Sequence, residues 1–225
     1  MYIHKKGYGV IATVFTVIVL IIVAAMMLFN AIFVTTHWTI LAGLIIIGAI
    51  VVVWSITFFR VPTKRKITHE ENAVVSSADG EIVAIEEVEE KEYFHDKRIQ
   101  ISVFMSAYDV HVNWFPIDGV VSYVKYHPGK KLFAINPKSS ELNERNSVAV
   151  KDEKGREVLF RQVAGVMARR IVCNIKEGDK AEVGKEFGMI KFGSRVDFFL
   201  PIDADIQVEI GDDITGQVSV LAYLK

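Results

Sequence analysis

Thiol chemistry is nearly absent from this chain of 225 residues: Cys173, in the apolar run RRIVCNI, is its only cysteine. One thiol excludes an internal disulfide and a cysteine-based zinc cluster, and leaves a buried structural thiol as the reading of Cys173. An excess of either charge is also missing, with 26 Lys and Arg against 27 Asp and Glu. A nucleic-acid binder would carry a clustered basic surface, so that class of partner is excluded. The phosphate loop G-x-x-x-x-G-K-[ST], the zinc motif H-E-x-x-H and the esterase elbow G-x-S-x-G do not occur. The six histidines, at positions 4, 37, 69, 95, 111 and 127, show no ligand-like spacing, and no metal site is expected. Gly7-Tyr-Gly9-Val-Ile-Ala12 imitates a dinucleotide fingerprint, but no strand precedes it and a long apolar run follows.

Charge is missing altogether from two long runs, Val10 to Val34 and Ile40 to Phe59. Each reaches the roughly 20 residues that cross a hydrocarbon core as a helix. The five residues between them, 35–39, are too few to fold separately, so the two spans form a tight hairpin with both ends on one side. Lys5 and Lys6 precede the first span, and Arg60, Lys64, Arg65 and Lys66 follow the second. Basic flanks stay in the cytoplasm, which places the remainder of the chain on the cytoplasmic face of a cell membrane. A cleaved signal peptide is the rival reading, but its apolar core runs to only about 7–15 residues. The expected organisation is a cytoplasmic N-terminus at 1–9, a hairpin at 10–59, a basic linker at 60–72 and a folded domain at 73–225.

No helical period of any length appears after residue 66. Short β-branched or alternating runs recur instead, among them EIVAIEEVE, RIQISVFM, GVVSYVKY, EVLFRQVAG and RVDFFLP, with Gly, Pro and Asp between them. That spacing predicts a mostly β fold, a single antiparallel β-rich domain. SSELNER, from Ser139 to Arg145, is compatible with one short turn of helix. The segment IKEGDKAEVGKEFGMIKFG resembles the turn-rich half-motif of biotinyl and lipoyl carrier domains, a flattened sandwich. No lysine stands at a carrier-like hairpin tip, so a swinging-arm function is not supported.

Three positions remain as candidates for chemistry: Asp79 in SSADG, His111 in YDVHVNWFPIDG and Ser194 in KFGSRVDFFLP. Singly, each reads as a turn or strand residue. Together with the apolar hairpin, the FFRVP exit, the FMSAYDVHVNWFPIDGVV block and the tripeptide Asn143 to Arg145, they resemble the phosphatidylserine decarboxylase proenzymes of the short bacterial and archaeal type. Several ordered motifs over most of the chain are specific in a way that one Gly-Ser dipeptide is not.

The resemblance implies self-cleavage between Gly193 and Ser194, giving a β-chain of residues 1–193 and an α-chain of residues 194–225 that remain associated. It implies that Ser194 adds to the carbonyl of Gly193, that elimination follows, and that the new α-chain begins with a pyruvoyl group. This covalent cofactor would form a Schiff base with the serine headgroup of phosphatidylserine in the membrane and draw electrons as carbon dioxide leaves, giving phosphatidylethanolamine. The resemblance implies His111 as the self-cleavage base, with Asp79 orienting it and Asp109 and Asp118 as nearby alternatives. Longer relatives carry H-x-x-H where this chain has His111-Val-Asn-Trp114. Either His111 takes over the duty of the second histidine, or this subclass distributes it differently. Arg195, where the longer relatives have threonine, reads equally as a substrate-binding guanidinium or as a strand arginine facing water. Two other readings stay open: an archaetidylserine decarboxylase of the same chemistry, and a non-catalytic membrane adaptor. Self-association is left open too.

Overall fold

The computed structural model describes residues 1–32, 37–130, 132–133, 139–165, 170–191 and 194–225. The chain divides into two compact units, Met1–Lys64 and Arg65–Lys225. The first unit holds β1 (Tyr2–Ile3), α1 (Tyr8–Ile32), α2 (His37–Phe58) and β2 (Arg60–Val61). No Asp, Glu, Lys or Arg occurs in α1 or α2, and both are long and apolar enough to cross a membrane. Their large side chains, such as Leu20, Ile46 and Ile50, are exposed within the unit, the pattern of helices that are apolar all round. Thr13 Oγ1 donates to Gly9 O and Ser55 Oγ to Val51 O, each turning back on its own helix.

Gly48 is a point of close approach, since a Cβ there would lie 2.6 Å from Ile18. Tyr2 and Ile3 pair antiparallel with Val61 and Arg60, and His4 N donates to Phe59 O. The start of α1 and the exit of α2 are thereby tied together, the hairpin geometry expected of this stretch. Phe33, Val34, Thr35 and Thr36, part of the expected first span and connection, lie outside the described residues.

The second unit is β-rich. Its strands are β3 (Ala73–Val75), β4 (Gly80–Glu90), β5 (Asp96–Met105), β6 (Val112–Trp114), β7 (Gly119–His127), β8 (Arg145–Lys151), β9 (Glu157–Ala164), β10 (Arg170–Cys173), β11 (Lys180–Ala181), β12 (Glu186–Lys191), β13 (Ser194–Leu200), β14 (Asp205–Ile206), β15 (Asp213–Ile214) and β16 (Val220–Tyr223). The one helix described, α3 (Ser139–Leu142), is the single turn expected in SSELNER. A large sheet has the order β11-β7-β8-β9-β13-β5-β4-β15, and two small sheets run β10-β12-β6 and β14-β16-β3. Every pairing between these strands is antiparallel.

One core joins the layers, with Ile82, Val103, Phe160, Val196 and Phe198 of the large sheet packed with Phe115, Phe187 and Ile190 from the β6–β12 side. The rings of Phe160 and Phe187 meet at 4.9 Å. The two strands of the carrier-like segment lie in different sheets, β11 beside β7 and β12 between β10 and β6. Two Asp-Gly turns open long strands. Gly80 and Gly119 have φ of 149° and 153°, and a Cβ at either would lie about 2 Å from a carbonyl oxygen, Phe104 O or Lys151 O. Only glycine fits there.

Candidate active site

β13 lies between β5 and β9 along its length, and all seven of its residues are buried. A strand covered on both faces buries whatever its sequence contains, and SRVDFFL contains a nucleophile and two charges. Ser194 heads the strand, opposite Met105 on β5 and Ala164 on β9. Its Oγ donates to Met105 Sδ at 3.3 Å. A thioether is a weak acceptor, so this hydroxyl is positioned without being strongly held. β12 ends only at Lys191, yet it belongs to a different sheet. The chain therefore passes from one layer to the other immediately upstream of Ser194. Gly193, the expected partner in cleavage, lies outside the described residues.

His111 stands on the β6–β12 side of this crossing. Its carbonyl accepts from Ile190 N at 3.1 Å, and its side chain is fully buried. Asp109 shapes the turn before it: the Asp109 carboxylate accepts from Ser106 N at 2.7 Å and Asp109 N donates to Ser106 O at 3.1 Å. The Asp109 carbonyl faces His111 Nδ1 at 2.9 Å. A ring nitrogen facing a carbonyl carries the proton, which makes Nε2 the basic nitrogen of the neutral ring.

Asp79 does not orient His111 in this arrangement. Arg65 grips the Asp79 carboxylate with both ends of its guanidinium, Nη1 to Oδ1 at 2.7 Å and Nη2 to Oδ2 at 2.6 Å. Gly216 N adds a third bond to Oδ1 at 2.8 Å. A bidentate pair of this kind fixes the carboxylate in place, and it draws Arg65 out of the basic flank. Trp114, at the second-histidine position of the longer relatives, carries Arg65 over its ring at 5.3 Å, so it packs around Asp79 rather than supplying a base. Asp118 holds His69 Nε2 and Val183 N and has no part in this corner.

Arg195 does not face water. Successive residues of a strand point to opposite faces, and Arg195 lies on the face opposite Ser194. There its Nε meets Asp197 Oδ1 at 2.7 Å, with 2 % of the side chain exposed.

Sequence reasoning missed Met105, Asn113 and Gln162. Asn113 Oδ1 accepts from Gln162 Nε2 at 2.8 Å, and Asn113 Nδ2 points to Ser77 O and to Met105 Sδ, the sulfur that also holds Ser194. Two signals were legible: Asn113 lies two residues from His111 and so shares its face, and Gln162 is an uncharged polar residue inside the run EVLFRQVA.

Known proteins resemble the chain over most of its length. The family model described as phosphatidylserine decarboxylase matches residues 53–222. A phosphatidylserine decarboxylase proenzyme of Amoebophilus asiaticus is 53 % identical over 171 residues, 76 % of each chain. Those of Parabacteroides distasonis and Porphyromonas gingivalis are 39 % and 41 % identical, covering 100 % of this chain and 100 % and 99 % of their own.

Proposed function

Because the chain belongs to the phosphatidylserine decarboxylase family of pyruvoyl-dependent lyases, we propose that it cuts itself between Gly193 and Ser194 and then decarboxylates phosphatidylserine to phosphatidylethanolamine. The observation that carries this reading is the placement of Ser194: buried, heading the central strand, weakly held, and directly after the crossing between sheets. His111 Nε2 takes the Ser194 proton, and the Asp109 carbonyl keeps the proton of the ring on Nδ1. Asp79 acts at one remove, by fixing the Arg65–Trp114–Gly216 corner at which β6 ends.

The pyruvoyl group suits this position, since its source is Ser194 itself and the neighbours across the strand, Met105 and Ala164, are apolar and fully buried. That group supplies a carbonyl that takes up the substrate amine and draws electrons as carbon dioxide leaves. The protein supplies shelter from water and a fixed frame. β5 and β9 flank β13 from Ser194 to its last residues, so the α-chain stays in place after the cut. The apolar helices α1 and α2 associate the enzyme with the membrane where its lipid substrate resides. The basic residues at their exit keep the β-rich unit on the cytoplasmic face, and Lys64 and Lys66, both exposed, draw anionic headgroups toward it.

A denaturing gel of the purified protein tests the reading. Wild type should give a large fragment and a small one of residues 194–225, the latter blocked to N-terminal sequencing and reactive to a carbonyl reagent. Ser194→Ala should remain one intact band and lose all decarboxylation. Persistent decarboxylation by the uncut mutant would sink it.

A further inference from the structure

Three buried amides run in a row toward Ser194. Asn146 Nδ2 donates to Gln162 Oε1 at 3.4 Å, and Gln162 Nε2 donates to Asn113 Oδ1 at 2.8 Å. Asn113 and Gln162 are fully buried and Asn146 is 3 % exposed. Because Gln162 fills the carbonyl end of Asn113, the amide end must face the other way, and its contacts there are long: 3.4 Å to Ser77 O and 3.9 Å to Met105 Sδ. On the same residue, Ser77 Oγ is buried with no hydrogen-bond partner among the described residues. Leaving donors so poorly satisfied in the interior is costly. An apolar residue of similar size at 113 would avoid that cost, which points to an acceptor that arises only during the reaction.

Ser194 Oγ lies on the same sulfur, at 3.3 Å from Met105 Sδ, and it becomes such an acceptor. After the acyl shift, Oγ is the bridging oxygen of an ester between the carbonyl carbon of residue 193 and Cβ of residue 194. His111 Nε2 then takes the proton from Cα, a double bond forms between Cα and Cβ, and the Cβ–Oγ bond breaks. The electron pair of that bond leaves with Oγ, which becomes part of the carboxylate at the end of the β-chain. Charge on Oγ grows only as this bond breaks, so a donor aimed at it favours the transition state over the ester.

We propose that Asn113 is a further catalytic residue of self-cleavage: its side-chain amide, held in orientation by Gln162, donates to Ser194 Oγ as the ester is eliminated. The proposal rests on Ser194 being the cleaved residue. It separates the two steps of maturation, with His111 needed from the first and Asn113 from the second.

Hydroxylamine tells the steps apart, because it cleaves the ester and releases an α-chain that begins with an unmodified serine. Asn113→Leu, purified as the full chain, should self-cleave about 100-fold more slowly than wild type, the scale of losing one donor to a developing oxyanion. Its uncut band should be split by hydroxylamine, and N-terminal sequencing of the small fragment should begin at Ser194. Gln162→Leu should show the same trapped ester with a smaller loss of rate, and it carries the test if Asn113→Leu does not fold. A merely structural role would slow both steps and leave the uncut chain resistant to hydroxylamine. That resistance, or cleavage at the wild-type rate, would overturn the proposal. A wild-type chain that is never cut at Ser194 would instead remove the reading beneath it.

Discussion

The two faces of β13 handle their polar groups in opposite ways. On the Ser194 face, a hydroxyl is held by a sulfur at 3.3 Å and an amide reaches its two acceptors only at 3.4 and 3.9 Å. On the other face, Asp197 receives Ser102 Oγ at 2.7 Å, Ser140 Oγ at 2.6 Å and Arg195. Beside it, Arg161 reaches Glu90 and Glu92 at 3.0 Å each and lies over the Phe199 ring at 4.6 Å. Both faces are buried, so the difference is not one of solvent. One side spends its hydrogen-bonding capacity on holding the strand, and the other keeps capacity for a reaction. A strand that must stay put after its own peptide bond is cut benefits from that division.

The largest effect expected from breaking the comparison falls on the satisfied face. Asp197→Ala removes the carboxylate opposite a guanidinium that is only 2 % exposed and should destabilise the fold by about 3–5 kcal/mol. Urea unfolding of the detergent-solubilised protein, in the uncleavable Ser194→Ala background, measures this on a single continuous chain. Arg195→Met combined with Asp197→Leu should recover most of the loss, because a well-packed apolar pair replaces buried charges at little cost. If the double substitution is as damaging as the single one, Arg195 does more for the fold than pair with Asp197.

A step down in size, Met105→Leu probes the opposite face. A volume-conserving exchange of this kind costs less than about 1.5 kcal/mol of stability. It removes the sulfur that positions Ser194 Oγ, and the acyl shift should slow by about fivefold, equivalent to one neutral hydrogen bond of about 1 kcal/mol. Quenched time points on a denaturing gel give the rate. A change in stability without a change in rate would make the sulfur contact incidental.

How much of this was legible beforehand follows from what each signal depends on. The apolar helices and the recurrent strands are local patterns, and both were readable from the sequence, as was the Ser194 motif. Partners across the fold were not readable. Arg65 and Asp79 are 14 residues apart and look like a linker charge and a turn residue until the Gly216 loop closes over both. The burial of Arg195 against Asp197 was not readable either, because nothing in RVDF says that β13 is central and covered on both faces. Asn113 escaped notice because its meaning lies in what it fails to bond, and that appears only once Gln162 and Met105 are in place.

The smallest expected effect sharpens the comparison through pH. Tyr123 packs beside Phe199 and Leu159 on the satisfied face, and its hydroxyl lies 3.4 Å from Glu92 Oε1. Burial, and then the charge of Glu92, push its ionisation up from 10.0 to about 12. The folded state therefore keeps the phenol neutral where the unfolded chain would ionise it. The stability this provides is fully present below pH 10.0 and is lost as the pH rises towards about 12. In the Ser194→Ala background, the thermal midpoint of wild-type Tyr123 should fall across that window, and Tyr123→Phe should flatten that part of the fall. The same scan run on Met105→Leu should follow the wild-type slope, since Met105 lies on the face that carries Ser194. If Met105→Leu alters the alkaline slope as much as Tyr123→Phe does, the two faces are coupled through β13, and the division of labour between them is not a division of energy.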